Sequence, residues 1–154
     1  MDIWKIEGAG LPFYETSRKP EKTVDNPKGY GTWVIMLFTT PFEVRLNNKS
    51  YWGKKGDILI NRPDTPMWHR GVGIGYQNYW IHFYGETVNR EIERYSIPID
   101  LPFTPRMDHS IVFREIHWES IEKPPFYRES MGRKVQNLLL SLHRERYSRV
   151  NHYR

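Results

Sequence analysis

The chain has no cysteine among its 154 residues, which excludes disulfides, thiolate metal sites and cysteine nucleophiles and fits a reducing compartment. Long apolar runs are also missing. The longest, Trp33 to Phe38, falls far short of the roughly 20 residues that a membrane-spanning helix requires. Met1-Asp2-Ile3-Trp4-Lys5 carries an acid and no apolar stretch, unlike a secretory signal, so a cytoplasmic location is expected. There is no Gly-x-Ser-x-Gly elbow and no phosphate loop. Gly71, Gly73 and Gly75 form a spaced run, but it precedes a strand-like segment instead of a helix and reads as a loop.

Aromatic residues are plentiful, with six Trp, ten Tyr and seven Phe. Such side chains carry much of the burial in β-structure and also suit the walls of a ligand cavity. The net charge of +5 is spread among acids through most of the chain, as on a solvated surface. Only His143 to Arg149 is locally basic, as a helix end or linker would be. One globular core is expected for this length.

Residues 1–30 contain Pro12, Pro20, Pro27 and Gly29 without a sustained apolar period, and read as an extended arm. Thr32 to Thr39 is β-branched and aromatic with little alternation, as in a strand buried on both faces. Phe42, Val44 and Leu46 alternate with Glu43 and Arg45, and Asn47-Asn48 supplies a two-residue hairpin turn into Lys49 to Trp52. Asp57 to Asn61, Met67 to Arg70 and Tyr79 to Tyr84 follow as further strands separated by Gly and Pro. Short strands at this spacing predict a barrel or sandwich.

Beyond residue 85 the period lengthens. Glu86 to Tyr95 is helix-compatible, and Pro98, Pro102 and Pro105 punctuate an extended connection. Asp108 reads as the N-cap of a helix that Pro124-Pro125 ends. A second helix is expected from Tyr127 to Tyr147, with Tyr127, Met131, Val135, Leu138, Leu139 and Leu142 as its apolar stripe.

Gly56 to Pro66, with its Gly-Asp step into a strand closed by Pro63 and Pro66, and Tyr79-Trp80-Ile81-His82-Phe83 together resemble the N-terminal domain of AraC-type transcription regulators. The likeness covers roughly residues 30–147. Thr40 stands where that family often has glycine, and Met67 where many members have histidine, with His69 two positions on. The resemblance implies a mainly β fold: a cupin-like β-barrel (double-stranded β-helix) over 31–106, followed by a helical dimerisation pair over 107–150. It further implies a homodimer, with Met131, Val135, Leu138, Leu139 and Leu142 at the seam, and a DNA-binding helix-turn-helix domain downstream of residue 154. The stripe itself fits docking on its own barrel equally well.

Cupin enzymes hold a divalent ion with a His-x-His pair, a carboxylate and a distant histidine. The corresponding strand here reads Phe42-Glu43-Val44-Arg45, and of six histidines only His69 and His82 fall in the strands. No metal, no other cofactor and no catalysis are therefore expected. A small-molecule effector is expected instead, a sugar or related metabolite whose C–H faces stack on aromatic rings while its hydroxyls meet imidazoles. Trp80, His82 and Tyr84 share one strand face, and Trp33, Trp68 and His69 are candidates from neighbouring strands. Which face of the Tyr79 to Tyr84 strand points inward is open at this level. The resemblance adds that the arm closes over the ligand with Phe13 and Tyr14. Two rival readings remain, a stand-alone metal-dependent cupin enzyme of sugar isomerase or dioxygenase type, and a carbohydrate-binding module.

Overall fold

A computed structural model describes residues 2–12, 23–73, 75, 77–145 and 147–149. Ten strands and three helices follow in the order β1 (Lys5–Gly10), β2 (Thr23–Asn26), β3 (Trp33–Phe38), β4 (Phe42–Leu46), β5 (Lys49–Gly53), β6 (Ile58–Asn61), β7 (Met67–Gly71), β8 (Asn78–Tyr84), α1 (Val88–Tyr95), β9 (Phe103–Pro105), α2 (Ser110–Glu122), α3 (Tyr127–Glu145) and β10 (Tyr147–Arg149). The strands form two antiparallel sheets, ordered β1-β8-β3-β6-β9-β10 and β2-β7-β4-β5. The expected closed barrel is replaced by two separate ladders. No helix among the described residues is long and apolar enough to cross a membrane.

The β3 sequence explains why two cores form. Every residue of β3 is buried, because the strand is central in the larger sheet and both of its faces are covered. Trp33, Ile35 and Leu37 join a core with Ile81, Phe83, Phe113, Ile116, Val135 and Leu139, beneath the helices. Val34, Met36 and Phe38 join Phe42, Val44, Leu46, Leu59 and Met67 in a second core facing the smaller sheet. A strand's period of two divides one apolar run between two layers.

Local signals hold at several points. Asn47 and Asn48 adopt φ of 51° and 65° in the turn that pairs Leu46 with Lys49, the left-handed backbone that a tight hairpin requires. Asp108 accepts a hydrogen bond from the Ser110 amide at 2.8 Å, although the helix itself starts after His109.

Two expectations change. Residues 1–30 are not simply an arm, since β1 pairs with β8 and β2 with β7, giving each sheet an edge strand. The α3 stripe is also not a free seam. Met131, Val135, Leu138, Leu139 and Leu142 are at most 4% exposed and lie in the core under the chain's own larger sheet. Docking on a sheet of the same chain removes their apolar surface from water without a second subunit.

Candidate functional site: a neutral polar cluster between the sheets

The face of β8 is now defined. Ile81 and Phe83 point to the helices, so Trp80 and His82 face the space between the sheets. Trp80 packs on the inner core, and its indole is 5.3 Å from the His82 ring, edge to face. Space for that indole comes from β1, where a Cβ on Gly10 would fall 2.1 Å from the Trp80 ring. His82 Nδ1 is hydrogen-bonded to the Thr32 hydroxyl at 3.0 Å. Tyr30, from the loop entering β3, stands edge-on to His82 with ring centroids 4.9 Å apart.

The same tyrosine links the sheets. Its hydroxyl is 3.2 Å from Nε2 of His69 on β7, which is only 2% exposed. Burial holds the His69 pKa down at about 3, so the imidazole is neutral at physiological pH. Burial lowers His82 too, against the opposing pull of the Glu7 carboxylate, and raises the Tyr30 phenol against a hydrogen bond from Asn26. Each neutral imidazole offers one donor and one acceptor, and the phenol can do both, which is a set matched to uncharged hydroxyls.

One further polar group faces this layer. Asn61 is cross-strand from Val34, which is in turn cross-strand from His82. Its side chain is 1% exposed; its Nδ2 donates weakly to Met67 Sδ at 3.0 Å, and its Oδ1 has no hydrogen-bond partner. An amide oxygen left without a partner in an apolar layer costs about 1–3 kcal/mol.

The other sequence candidates lie elsewhere. Trp33 is on the helix side of β3, its ring 6.5 Å from Phe83, and is separated from His82 by the sheet itself. Trp68 faces outward from the smaller sheet, with the Arg45 guanidinium 4.0 Å above its ring. Both depart from the expected pocket because the parity of a strand position decides its face. Tyr84 shares the Trp80 and His82 face but is 45% exposed at the strand end. Phe13 and Tyr14 lie outside the described residues. Tyr30, Thr32 and Asn61 escaped the sequence reading. Asn61 was findable, since a polar residue two places after Leu59 shares its face in an otherwise apolar strand.

Among the described residues, no group of three or more His, Asp or Glu side chains is arranged to hold a metal ion. Glu43 and Asp57, both nearly fully buried, are engaged structurally. Glu43 accepts from Arg70 Nε at 2.8 Å, and Asp57 from the Lys54 amide at 2.9 Å and the Thr104 hydroxyl at 2.7 Å.

No known family profile matches the chain, and no curated protein sequence does. Among solved structures, the plu4264 protein from Photorhabdus luminescens, determined by ensemble refinement, is similar at 14% identity and a TM-score of 0.36. The match covers 58% of this chain and 82% of that one. A likeness at this level assigns neither a family nor a function.

Proposed function

We propose that the chain is the effector-sensing and dimerisation domain of an AraC-type transcription regulator, its two sheets a cupin-like sandwich. The effector is an uncharged polyhydroxylated metabolite, a sugar or a close relative, bound between the sheets. The observation that supports this most directly is the neutral cluster of Tyr30, His69 and His82 beside Trp80, with the unpartnered oxygen of Asn61 on the same inner face. Hydroxyls pair with the imidazoles and the amide, and the ligand's C–H face lies on the indole. Charged effectors fit poorly, because the inner polar groups are uncharged at physiological pH and give a buried charge no counter-ion. In this reading a downstream helix-turn-helix domain reads DNA, and self-association sets the spacing of two such domains.

Titration calorimetry of the chain with a panel of mono- and disaccharides tests the proposal. Saturable binding of a neutral sugar, weakened about ten-fold or more in His82→Ala, is expected. Binding of anionic metabolites alone, or equal affinity in wild type and variant, would sink it.

A further inference from the structure

The outer face of the smaller sheet carries two tryptophans and two arginines in a regular grid. Parity sets it. In β7, Met67 and His69 are buried toward the other sheet, so Trp68 and Arg70 point outward; in β4, Phe42, Val44 and Leu46 are inward, leaving Glu43 and Arg45 outside. The cross-strand register aligns Trp68, Arg45 and Ser50 in one row and Arg70, Glu43 and Trp52 in the next. The two indoles lie diagonally across β4, on the order of 12 Å apart by strand spacing and residue rise.

Each arginine covers a ring. The guanidinium of Arg45 is 4.0 Å above the Trp68 ring, and that of Arg70 is 5.6 Å from the centre of the Trp52 ring. One carboxylate serves both cations. Glu43, with a side chain 6% exposed, accepts from Arg70 Nε at 2.8 Å, while Arg45 Nε lies 3.9 Å from its other oxygen. The centre of the grid therefore keeps one positive charge in excess, and neither arginine spends its terminal Nη pair on Glu43. Those in-plane Nη edges form the fork that takes a phosphate bidentately, whereas guanidinium planes and indoles offer flat faces for stacking. Polar residues alone suffice to solvate an outer sheet face, and two half-buried tryptophans add apolar surface that water disfavours.

We propose that this face binds single-stranded nucleic acid, with phosphates held by Arg45 and Arg70 and bases stacked against the Trp68 and Trp52 pairs. An open sheet face suits an extended polymer that gains affinity from repeated shallow contacts, whereas a small ligand needs a concave site. Charge and shape narrow the polymer. A neutral polysaccharide would leave the surplus cation unmatched, and a duplex keeps its base faces inside its own stack, so an unpaired strand is the polymer that offers both phosphates and free rings. The surface does not rest on the effector reading, because Trp68 and His69 are on opposite faces of β7.

Fluorescence anisotropy of a labelled oligothymidylate of about twelve nucleotides, titrated with the full chain over a salt series, tests the proposal. Saturable binding is expected, with log K falling against log salt at a slope of about −1.4, the value for two phosphate contacts on a single strand. Arg45→Gln is expected to reduce that slope to about −0.7, and Trp68→Leu to weaken binding about ten-fold at unchanged slope, both with native circular dichroism. Arg94→Gln, an equal loss of charge on an exposed side chain of α1, is expected to change neither. No saturable binding at low salt, equal losses in Arg45→Gln and Arg94→Gln, or folded Trp68→Leu and Trp52→Leu variants that bind as wild type does would each overturn the proposal. Tighter binding of a duplex or of a sulfated polysaccharide than of the unpaired strand would overturn it too, since either marks a general cationic surface without stacking. Should neither tryptophan variant fold, the Arg45→Gln slope against that of Arg94→Gln decides.

Discussion

The hydroxyl of Tyr30 lies 3.2 Å from Nε2 of His69, joining the loop that enters β3 to the inner face of β7. Through this contact a neutral loop phenol and a neutral imidazole of the smaller sheet are held in one layer, and the ring of His82 on the larger sheet stands 4.9 Å from that of Tyr30 between centroids.

Acid stability follows from this burial. Folded His69 stays neutral down to about pH 3, whereas an unfolded histidine takes up its proton near 6.5. Between those values the unfolded chain binds more protons, so stability is complete above about pH 6.5 and falls as the pH is lowered. From pH 7 to pH 5 the loss from His69 is about 2 kcal/mol, and His82 adds to it in the same direction. Urea denaturation of wild type and His69→Gln at the two pH values is the check, and an unchanged pH dependence in the variant would show that His69 is not its source.

Asn61→Leu separates structural need from ligand binding. Replacing the amide by an apolar group of similar volume removes the unpartnered oxygen, so the free protein is expected to gain about 1 kcal/mol and a higher Tm. Sugar-induced thermal stabilisation is expected to vanish in the same variant. A destabilised free protein would instead mean that the amide is needed for packing.

Leu138→Glu is expected to unfold the chain instead of dissociating a dimer. Leu138 is 1% exposed in the apolar core beneath the larger sheet, where a carboxylate would lose its hydration. The cost, about 3 kcal/mol or more, is a large share of a typical domain's stability. Loss of the cooperative melt supports this, and a folded monomer would restore α3 as the seam.

Gly132→Ala sets helix propensity against packing. Alanine favours a helix interior by about 1 kcal/mol over glycine, but its Cβ would fall 2.0 Å from the Trp4 carbonyl oxygen where the N-terminal segment crosses α3. Backbone must shift to admit it, so a net loss of about 1–3 kcal/mol is expected in thermal melts. A rise in Tm would show that the crossing is loose.

The sequence by itself determined the order and type of most elements, because those depend on near neighbours. Asn47-Asn48 dictates its hairpin, the alternation of Phe42, Val44 and Leu46 dictates a strand with one apolar face, and the spacing from Tyr127 to Leu142 dictates a helix. It did not decide which surfaces meet. Trp33 and Trp80 are both strand tryptophans, yet only strand pairing puts one under the helices and the other between the sheets. The leucine stripe of α3 is equally suited to a sheet or to a second subunit, and only the larger sheet's exposed face selected the first. By the same selection Ile111, Trp118 and Ile121 of α2 were left outside. Tertiary structure also brought Tyr30 to His69 across 39 positions of sequence, a pairing that no local pattern encodes because it depends on how two sheets are stacked.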